Sequence, residues 1–403
     1  MSFDSQKFAT RLQNVETSAI RELFKLLGKP GIISFAGGFP DPALFDVEGI
    51  SMASTDVLRD AGGAVLQYGA TEGYGPAKEA ISRFMKAKGS LVEASELIVT
   101  TGSQQALDLL GKTLISPGDK IIVEAPTFLA TIQCFKLYGA EIIGAPTDSH
   151  GVNVEALERL IQEHQPKFVY LIPTFGNPSG ATLTLERRKK VLDLALQYKT
   201  LVIEDDPYGE LYFDEAPPPS LLSLSANRPE LRDYLIHCGS FSKILSPGLR
   251  VGWLIAPAEL LAKATMCKQF SDAHTSNLTQ AIAARYLEMG RLDACLSKVR
   301  QVYSERAKTM VSCLQSQLGD AIEMTAPQGG MFVWAQLTQG RNSNLFAAKA
   351  IEQLVAFVPG APFYAHTPNN STLRLSFATA NLSQIEEGIS RMALALKAYD
   401  AER

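Results

Sequence analysis

What the 403-residue chain has little of already narrows its class. Its 5 cysteines, Cys134, Cys238, Cys267, Cys295 and Cys313, are odd in number and widely spaced, with no CxxC pair. That spacing fits neither a disulfide framework nor a zinc site, and reduced, packed thiols in a reducing cytoplasm are expected. No apolar run reaches the ~18 residues that crossing a bilayer requires. The opening MSFDSQKFATRLQN lacks the apolar stretch of a secretory signal, so a cytoplasmic location is expected. Low-complexity tracts and internal repeats are absent. The net charge of −4 offers no basic excess of the kind a nucleic-acid footprint needs. The longest basic run, Arg187-Arg188-Lys189-Lys190, falls on an expected helix, where a solvated face is the simplest account.

What is present is a globular composition, 46% hydrophobic and 20% charged, in a chain too long for one ordinary core. Two to three domains are expected. Between about residues 95 and 257, short apolar runs alternate with amphipathic segments. The runs are Glu96–Thr101, Lys120–Glu124, Glu141–Gly144, Phe168–Pro173, Leu201–Asp205, Leu235–Cys238 and Val251–Ala256. Most are continuously apolar, which suits strands buried on both faces of a mostly parallel sheet. The intervening segments Val154–His164 and Leu185–Tyr198 place apolar residues at helical spacing. This alternation predicts an α/β layered domain. Residues from about 258 to 316 read as long helices. Short strands around Gly330–Ala335 and Leu373–Phe377 follow, then a helix from about Leu382, which together predict a second, smaller α/β domain. The Pro/Gly-rich stretch Lys29–Pro42 is expected to be a loop crossing between domains.

Four segments carry the chemistry. In Gly239–Trp253 (GSFSKILSPGLRVGW) a strand ends in a Ser-x-Ser-Lys turn, and Arg250 follows seven residues after Lys243. Hydroxyls and a guanidinium are groups that bind phosphate, and a lysine beside them suits an aldehyde-bearing phosphorylated cofactor. In Leu201–Tyr208 (LVIEDDPY) carboxylates sit at a strand end, where α/β proteins build ligand sites. Such a carboxylate could bind a metal, cap a helix or pair with a cationic ring nitrogen. The absence of a neighbouring His or Cys disfavours the metal. Pro173–Gly180 (PTFGNPSG) follows another strand, and an Asn-Pro turn on its own is ordinary loop chemistry. Thr100–Gln105 (TTGSQQ) joins a strand to a helical pattern, whose first N–H groups can either cradle a phosphate or simply be capped.

In this order the segments resemble the class I/II, fold-type I aminotransferases that use pyridoxal 5′-phosphate, over nearly the whole chain from Arg21 to Arg374. The opening IREL…GIISFAGGFPDP is similar to that of the 2-aminoadipate and kynurenine aminotransferase branch. The resemblance implies a large domain built on a mostly parallel seven-stranded sheet between helices, over residues 45–280. It also implies a smaller α/β domain over residues 281–403, joined by an N-terminal helix and inter-domain loop over residues 1–44. It assigns Lys243 to hold the cofactor covalently and to move the substrate's α-proton as base and acid. Asp205 would pair with the ring nitrogen, and Tyr208 and Asn177 would bond the ring's phenolic oxygen. Ser103, Gln104, Ser240, Ser242 and Arg250 would hold the phosphate. Tyr68 would reach the phosphate of a neighbouring subunit, implying a homodimer with shared sites. Phe128 stands where the family usually has a tyrosine stacked on the ring, so the stacking face survives without the hydroxyl. Arg374 would clamp the substrate α-carboxylate, with Asn177 and Gly38 beside it. Arg21, on an expected short helix over TSAIREL, would bind the distal carboxylate of acidic substrates. No metal is implied.

The implied reaction is transfer of an amino group from an L-amino acid (2-aminoadipate, aromatic or branched-chain) to 2-oxoglutarate. Two other readings stay open on sequence. One is a lyase or decarboxylase on the same fold, which does not dictate the bond broken. The other is a sensory domain that binds the cofactor and regulates transcription, which the aminotransferase-like opening from Ala19 leaves little room to accompany with a DNA-binding segment.

Overall fold

The computed structural model describes residues 7–12 and 30–403. In chain order the strands among them are β1 (Ile33–Ser34), β2 (Leu97–Thr100), β3 (Lys120–Ala125), β4 (Glu141–Asp148), β5 (Gly151–Val152), β6 (Phe168–Leu171) and β7 (Leu201–Asp206). They continue with β8 (Leu235–Ser240), β9 (Gly252–Ile255), β10 (Ile322–Met324), β11 (Phe332–Leu337), β12 (Val355–Ala356), β13 (Val358–Pro359) and β14 (Thr372–Ser376). The large sheet has the order β2-β9-β8-β7-β6-β3-β4-β5. Neighbours from β8 through β4 are parallel, whereas β9 is antiparallel to both β2 and β8. One reversed strand therefore leaves β2 running with the others. The C-terminal ends of β2, β8, β7, β6 and β3 emerge on a single edge, the side on which α/β sheets bind ligands.

Every residue of β2, β6, β8 and β9 is buried, which is why these segments read as unbroken apolar runs. The covering helices follow their sequence periodicity. Val154–His164 begins where the Asn153 side chain accepts from Ala156 N and ends at Gln165 in the left-handed region, φ 46°. Its buried stripe of Val154, Leu157 and Ile161 packs on Ile122, Val169, Leu171 and Val202. Truncating Leu157 to Ala there would cost about 2–5 kcal/mol.

The sheet carries an eighth strand beyond the seven implied. β4 runs four residues past Gly144 and turns back antiparallel into β5, pairing Thr147 with Val152. Its burial alternates, so a search for continuous apolar residues stops short of its end.

The second sheet, β10-β11-β14-β13, is antiparallel throughout. The helices Leu292–Leu318 and Leu382–Ala401 pack on each other beside it. β1 pairs in parallel with β12, tying residues 33–34 to this part of the chain. Among the described residues no helix is long and apolar enough to cross a membrane. All five cysteines are free; Cys238 is buried and the others half-buried.

The basic run corrects its sequence reading. Arg188 is fully buried, not solvated. Its guanidinium donates to the carbonyls of Leu183 (2.9 Å), Pro219 (3.2 Å) and Pro173 (2.8 Å) and to Thr174 Oγ1 (2.8 Å). It thereby pins the loop that leads from β6 to Asn177.

Candidate active site

Strand parity sorts the acidic run at the end of β7, because successive side chains point to opposite faces. Glu204 accepts from the N–H groups of Leu221 (2.7 Å) and Leu222 (3.1 Å), which open a short helix, and stands 3.1 Å from His237 Nδ1. Burial pushes this carboxylate up, but the His237 contact and Arg188 outweigh burial and hold it below its usual range. Glu204 is thus a helix cap and an ion-pair partner. Asp205 faces the other way and is 2% exposed. Its Oδ2 accepts from the Tyr170 hydroxyl at 2.6 Å, and that hydroxyl accepts from Thr131 Oγ1 at 3.0 Å. Its Oδ1 is buried with no partner among the described residues. Burial pushes Asp205 up to about 6, against the lowering effect of Tyr170. A buried carboxylate oxygen without a donor is costly, and a protonated ring nitrogen placed there would satisfy it.

Lys243 lies just beyond β8, in the Ser-x-Ser-Lys turn. Its Nζ donates to Gly38 O at 2.7 Å. Burial, then the neighbouring cations Arg374 and Arg250, lower it to about 8. A substantial neutral fraction near physiological pH is what an amine nucleophile needs.

Ser240 pairs across the sheet with Gly252, and a Cβ on Gly252 would lie 2.8 Å from Ser103 N, at the start of the helix Ser103–Leu114. Ser240 Oγ donates to Ser242 Oγ at 2.9 Å and accepts from Ser242 N at 3.1 Å. Arg250 Nη2 donates to Thr101 O at 2.9 Å. Gly102 caps the helix at φ +75°, and a Cβ there would lie 2.6 Å from Arg250 Nη2. Only glycine allows the guanidinium to sit against the turn. The first N–H groups of the helix, those of Ser103 and Gln104, have no acceptor within it, and its dipole favours an anion.

Arg374 on β14 sits between Trp334 of β11 and Val358 of β13. Its Nη1 donates to Asn177 Oδ1 and its Nη2 to Ala36 O, both at 2.8 Å. Its Nε is buried without a partner among the described residues. The guanidinium carbon lies 4.4 Å from the Phe332 ring centroid and 5.0 Å from that of Phe363. Burial lowers it to about 10. Both bonded acceptors are neutral, so the charge is left for an anionic ligand. Asn177 also donates to Tyr208 OH at 3.3 Å. Burial pushes that phenol up to about 12, opposed first by Arg374. A Cβ on Gly38 would lie 3.9 Å from Arg374 Nη2, so the peptide that accepts from Lys243 also adjoins the arginine.

The structure thus joins Lys243, Gly38, Arg374, Asn177 and Tyr208 in one cluster, and Ser240, Ser242 and Arg250 in another beside Ser103 and Gln104. Lys243 feels the cations of both. Phe128 is half-buried as the cap of the helix Leu129–Leu137. Tyr68 does not enter this chain's site: it is 84% exposed, edge-on to His274 at 5.8 Å. Arg21 lies outside the described residues. Four contributors escaped the sequence reading: Tyr170 and Thr131 behind Asp205, Arg188 behind the Asn177 loop, and Gly102 against Arg250. Only Gly102 carried a local signal, a glycine between a strand and a helix start.

Comparison with known proteins follows the same pattern. The family model described as aminotransferase class I and II matches residues 40–392. A 2-aminoadipate transaminase of Thermus thermophilus is 41% identical over 393 residues, covering 98% of this chain and 97% of that protein. An aromatic-amino-acid aminotransferase of Thermococcus litoralis is 41% identical over 396 residues, covering 97% of this chain and 94% of that one. Among solved structures, an α-aminoadipate aminotransferase of Thermus thermophilus complexed with N-(5′-phosphopyridoxyl)-L-leucine has a TM-score of 0.92 at 40% identity, with 99% of each chain covered.

Proposed function

The chain belongs to the class I and II aminotransferases, and from that premise we propose that it uses pyridoxal 5′-phosphate to move amino groups between an L-amino acid and 2-oxoglutarate. The amino donors proposed are 2-aminoadipate, aromatic and branched-chain amino acids, a range that the relatives' names support. The observation that carries the reading is the setting of Lys243: an amine lowered to about 8, beside an arginine whose bonded acceptors are both neutral.

When bound, the cofactor supplies an aldehyde to take up the amino group and a ring that withdraws electrons from the substrate's α-carbon. The chain's own residues then have separable tasks. Ser240, Ser242, Arg250 and the N–H groups of Ser103 and Gln104 hold the phosphate. Asp205 Oδ1 would keep the ring nitrogen protonated, while Tyr170 fixes the carboxylate from behind. Tyr208 and Asn177 would bond the phenolic oxygen, and Phe128 would cover a ring face. Arg374 takes the α-carboxylate in a planar fork, assisted by Asn177 beside the Gly38 peptide. Lys243, uncharged once its proton is lost, would take the proton from the substrate's α-carbon as general base and give one back as general acid. On sequence grounds Arg21 is proposed to read the distal carboxylate of acidic substrates.

The test is borohydride fixation followed by peptide mapping, paired with a half-reaction screen of amino acids. The cofactor should be fixed on the peptide containing Lys243, and Lys243→Ala should lose turnover while still binding cofactor through the phosphate site. Arg21→Ala should lose about tenfold or more in kcat/KM for 2-aminoadipate and little for leucine, as expected for one charge-assisted contact. Fixation on another lysine, or failure of 2-oxoglutarate to restore the aldehyde form, would overturn the reading.

A further inference from the structure

We propose that Lys268, Asp272 and Gln105 form a brace that holds the phosphate cradle in its binding shape, with Lys268 as the positioning residue at its centre. The inference rests on the reading of Ser103, Gln104, Ser240, Ser242 and Arg250 as the phosphate site.

Lys268 is fully buried within the helix Ala258–Asp272. An apolar side chain could fill that place without desolvating an ammonium group. What the ammonium adds is three fixed donors. They go to Asp272 Oδ1 (2.8 Å), Asp272 Oδ2 (2.9 Å) and Gln105 Oε1 (3.0 Å). Gln105 closes the ring by donating from Nε2 to Asp272 Oδ2 at 2.6 Å. The side-chain Oε1 of Gln105 also accepts from the backbone N–H of Thr101 at 2.8 Å. Thr101 Oγ1 reaches Asp272 Oδ2 at 3.3 Å and Thr275 Oγ1 at 3.1 Å.

Three of these bonds end on Thr101, which lies directly before the cap residue Gly102. The brace holds its N–H from behind, and its carbonyl holds Arg250 Nη2 in front at 2.9 Å. Any displacement of Thr101 therefore moves both the guanidinium and the start of the helix that offers its N–H groups. The opposite charges of Lys268 and Asp272 cancel, so the brace supplies position rather than field. Lys268 touches none of the proposed phosphate ligands directly; it acts through Gln105 and Thr101.

The experiment compares ligands with and without the phosphate. Full-length wild-type protein and the variant Lys268→Met, each resolved from its cofactor, are titrated with pyridoxal phosphate and with pyridoxal. Lys268→Met should lose ~tenfold or more in affinity for pyridoxal phosphate, the effect of one misplaced charge-assisted contact, with pyridoxal affinity unchanged. The selectivity ratio should fall by the same factor. Asp272→Asn, isosteric and partly solvent-exposed, should shift the ratio in the same direction and serves where Lys268→Met does not fold. Parallel losses for both ligands would assign Lys268 to the fold alone, and an unchanged ratio in both variants would overturn the brace. A wild-type protein that fails to prefer the phosphorylated ligand would instead overturn the phosphate-site reading on which the brace depends.

Discussion

At Asp205 two demands conflict. Its side chain must be ionised to hold a ring cation, yet burial pushes it up from an ordinary 3.8 to about 6. The Tyr170 hydroxyl, 2.6 Å from Oδ2, pulls the other way. Between those two values the folded protein without cofactor binds a proton that the unfolded chain does not, so its stability falls as pH rises through that window. Cofactor binding reverses the preference, because the ring cation favours the ionised carboxylate. Affinity for the cofactor should therefore weaken as pH drops below about 6. Tyr170→Phe removes the lowering contact, so the midpoint of that loss should move to higher pH. Titrations of the wild type and variant across a pH series read this directly, and an unmoved or lowered midpoint would remove Tyr170 from the role. Tyr170 was not legible in the sequence as anything but an apolar strand residue. Its bonds to Asp205 and Thr131 span 35 and 39 positions, and those of Lys268 to Gln105 span 163. Local patterning cannot encode such partners. Lys243, Arg250 and Ser103 were legible because each sits near a strand end or helix start whose local chemistry announces an anion site.

At the scale of elements, the residues just after β1 act as a strap across the site. Ala36 O accepts from Arg374 and Gly38 O from Lys243, so two backbone carbonyls meet two of the site's cationic side chains. The strap is anchored at its far end, where Asp41 Oδ2 accepts from Arg306 Nη2 at 2.8 Å and Asp41 N donates to Tyr303 OH at 3.2 Å. Arg306 also donates to Ala378 O. Arg306→Met would leave the Asp41 carboxylate buried and unpaired, at a cost of about 3–5 kcal/mol. The exposed pair Lys86–Glu93 offers the control, since Lys86→Met should cost under about 1 kcal/mol. Urea unfolding of the two variants should show that contrast, and equal losses would mean that the Asp41–Arg306 pair is no anchor. The Pro/Gly-rich composition of this stretch marked it as a loop, but nothing in it announced which cations its carbonyls would meet. Strands obeyed a similar rule. β6, β7 and β8 were legible because burial on both faces leaves an unbroken apolar run, and the second half of β4 was not, because its exposed positions break the run.

At the scale of the whole molecule, we propose the division into residues 45–280 and 281–403, with residues 1–44 joined to the latter. The large sheet draws all its strands from residues 97–255, and the β1–β12 pairing supports the placement of the N-terminal strap. The same scale raises the matter of assembly. Tyr68 and Leu66 are 84% and 68% exposed, and Phe270, in the helix that leads to His274, is 81% exposed. His274 is the residue against which Tyr68 rests edge-on. Large side chains left in water in one region of a chain this size suit a contact with a second copy. The loop that carries Tyr68 is nevertheless firmly held, with Asn277 Nδ2 donating to Gln67 O at 3.2 Å and Tyr74 N donating to Gln280 Oε1 at 2.7 Å. A rigid loop that ends in an exposed phenol can deliver it to a neighbour's phosphate at little cost in ordering. Each site would then take Lys243 from one subunit and Tyr68 from the other. Mixing a Tyr68→Phe chain with a Lys243→Ala chain under conditions that exchange subunits tests this. A heterodimer would contain one site with both lesions and one with neither, so random pairing makes about a quarter of all sites intact. Activity in the mixture should rise above the average of the two parent homodimers as exchange proceeds. If it stays at that average while exchange is verified by mass, Tyr68 serves its own subunit or none, and the composite site fails.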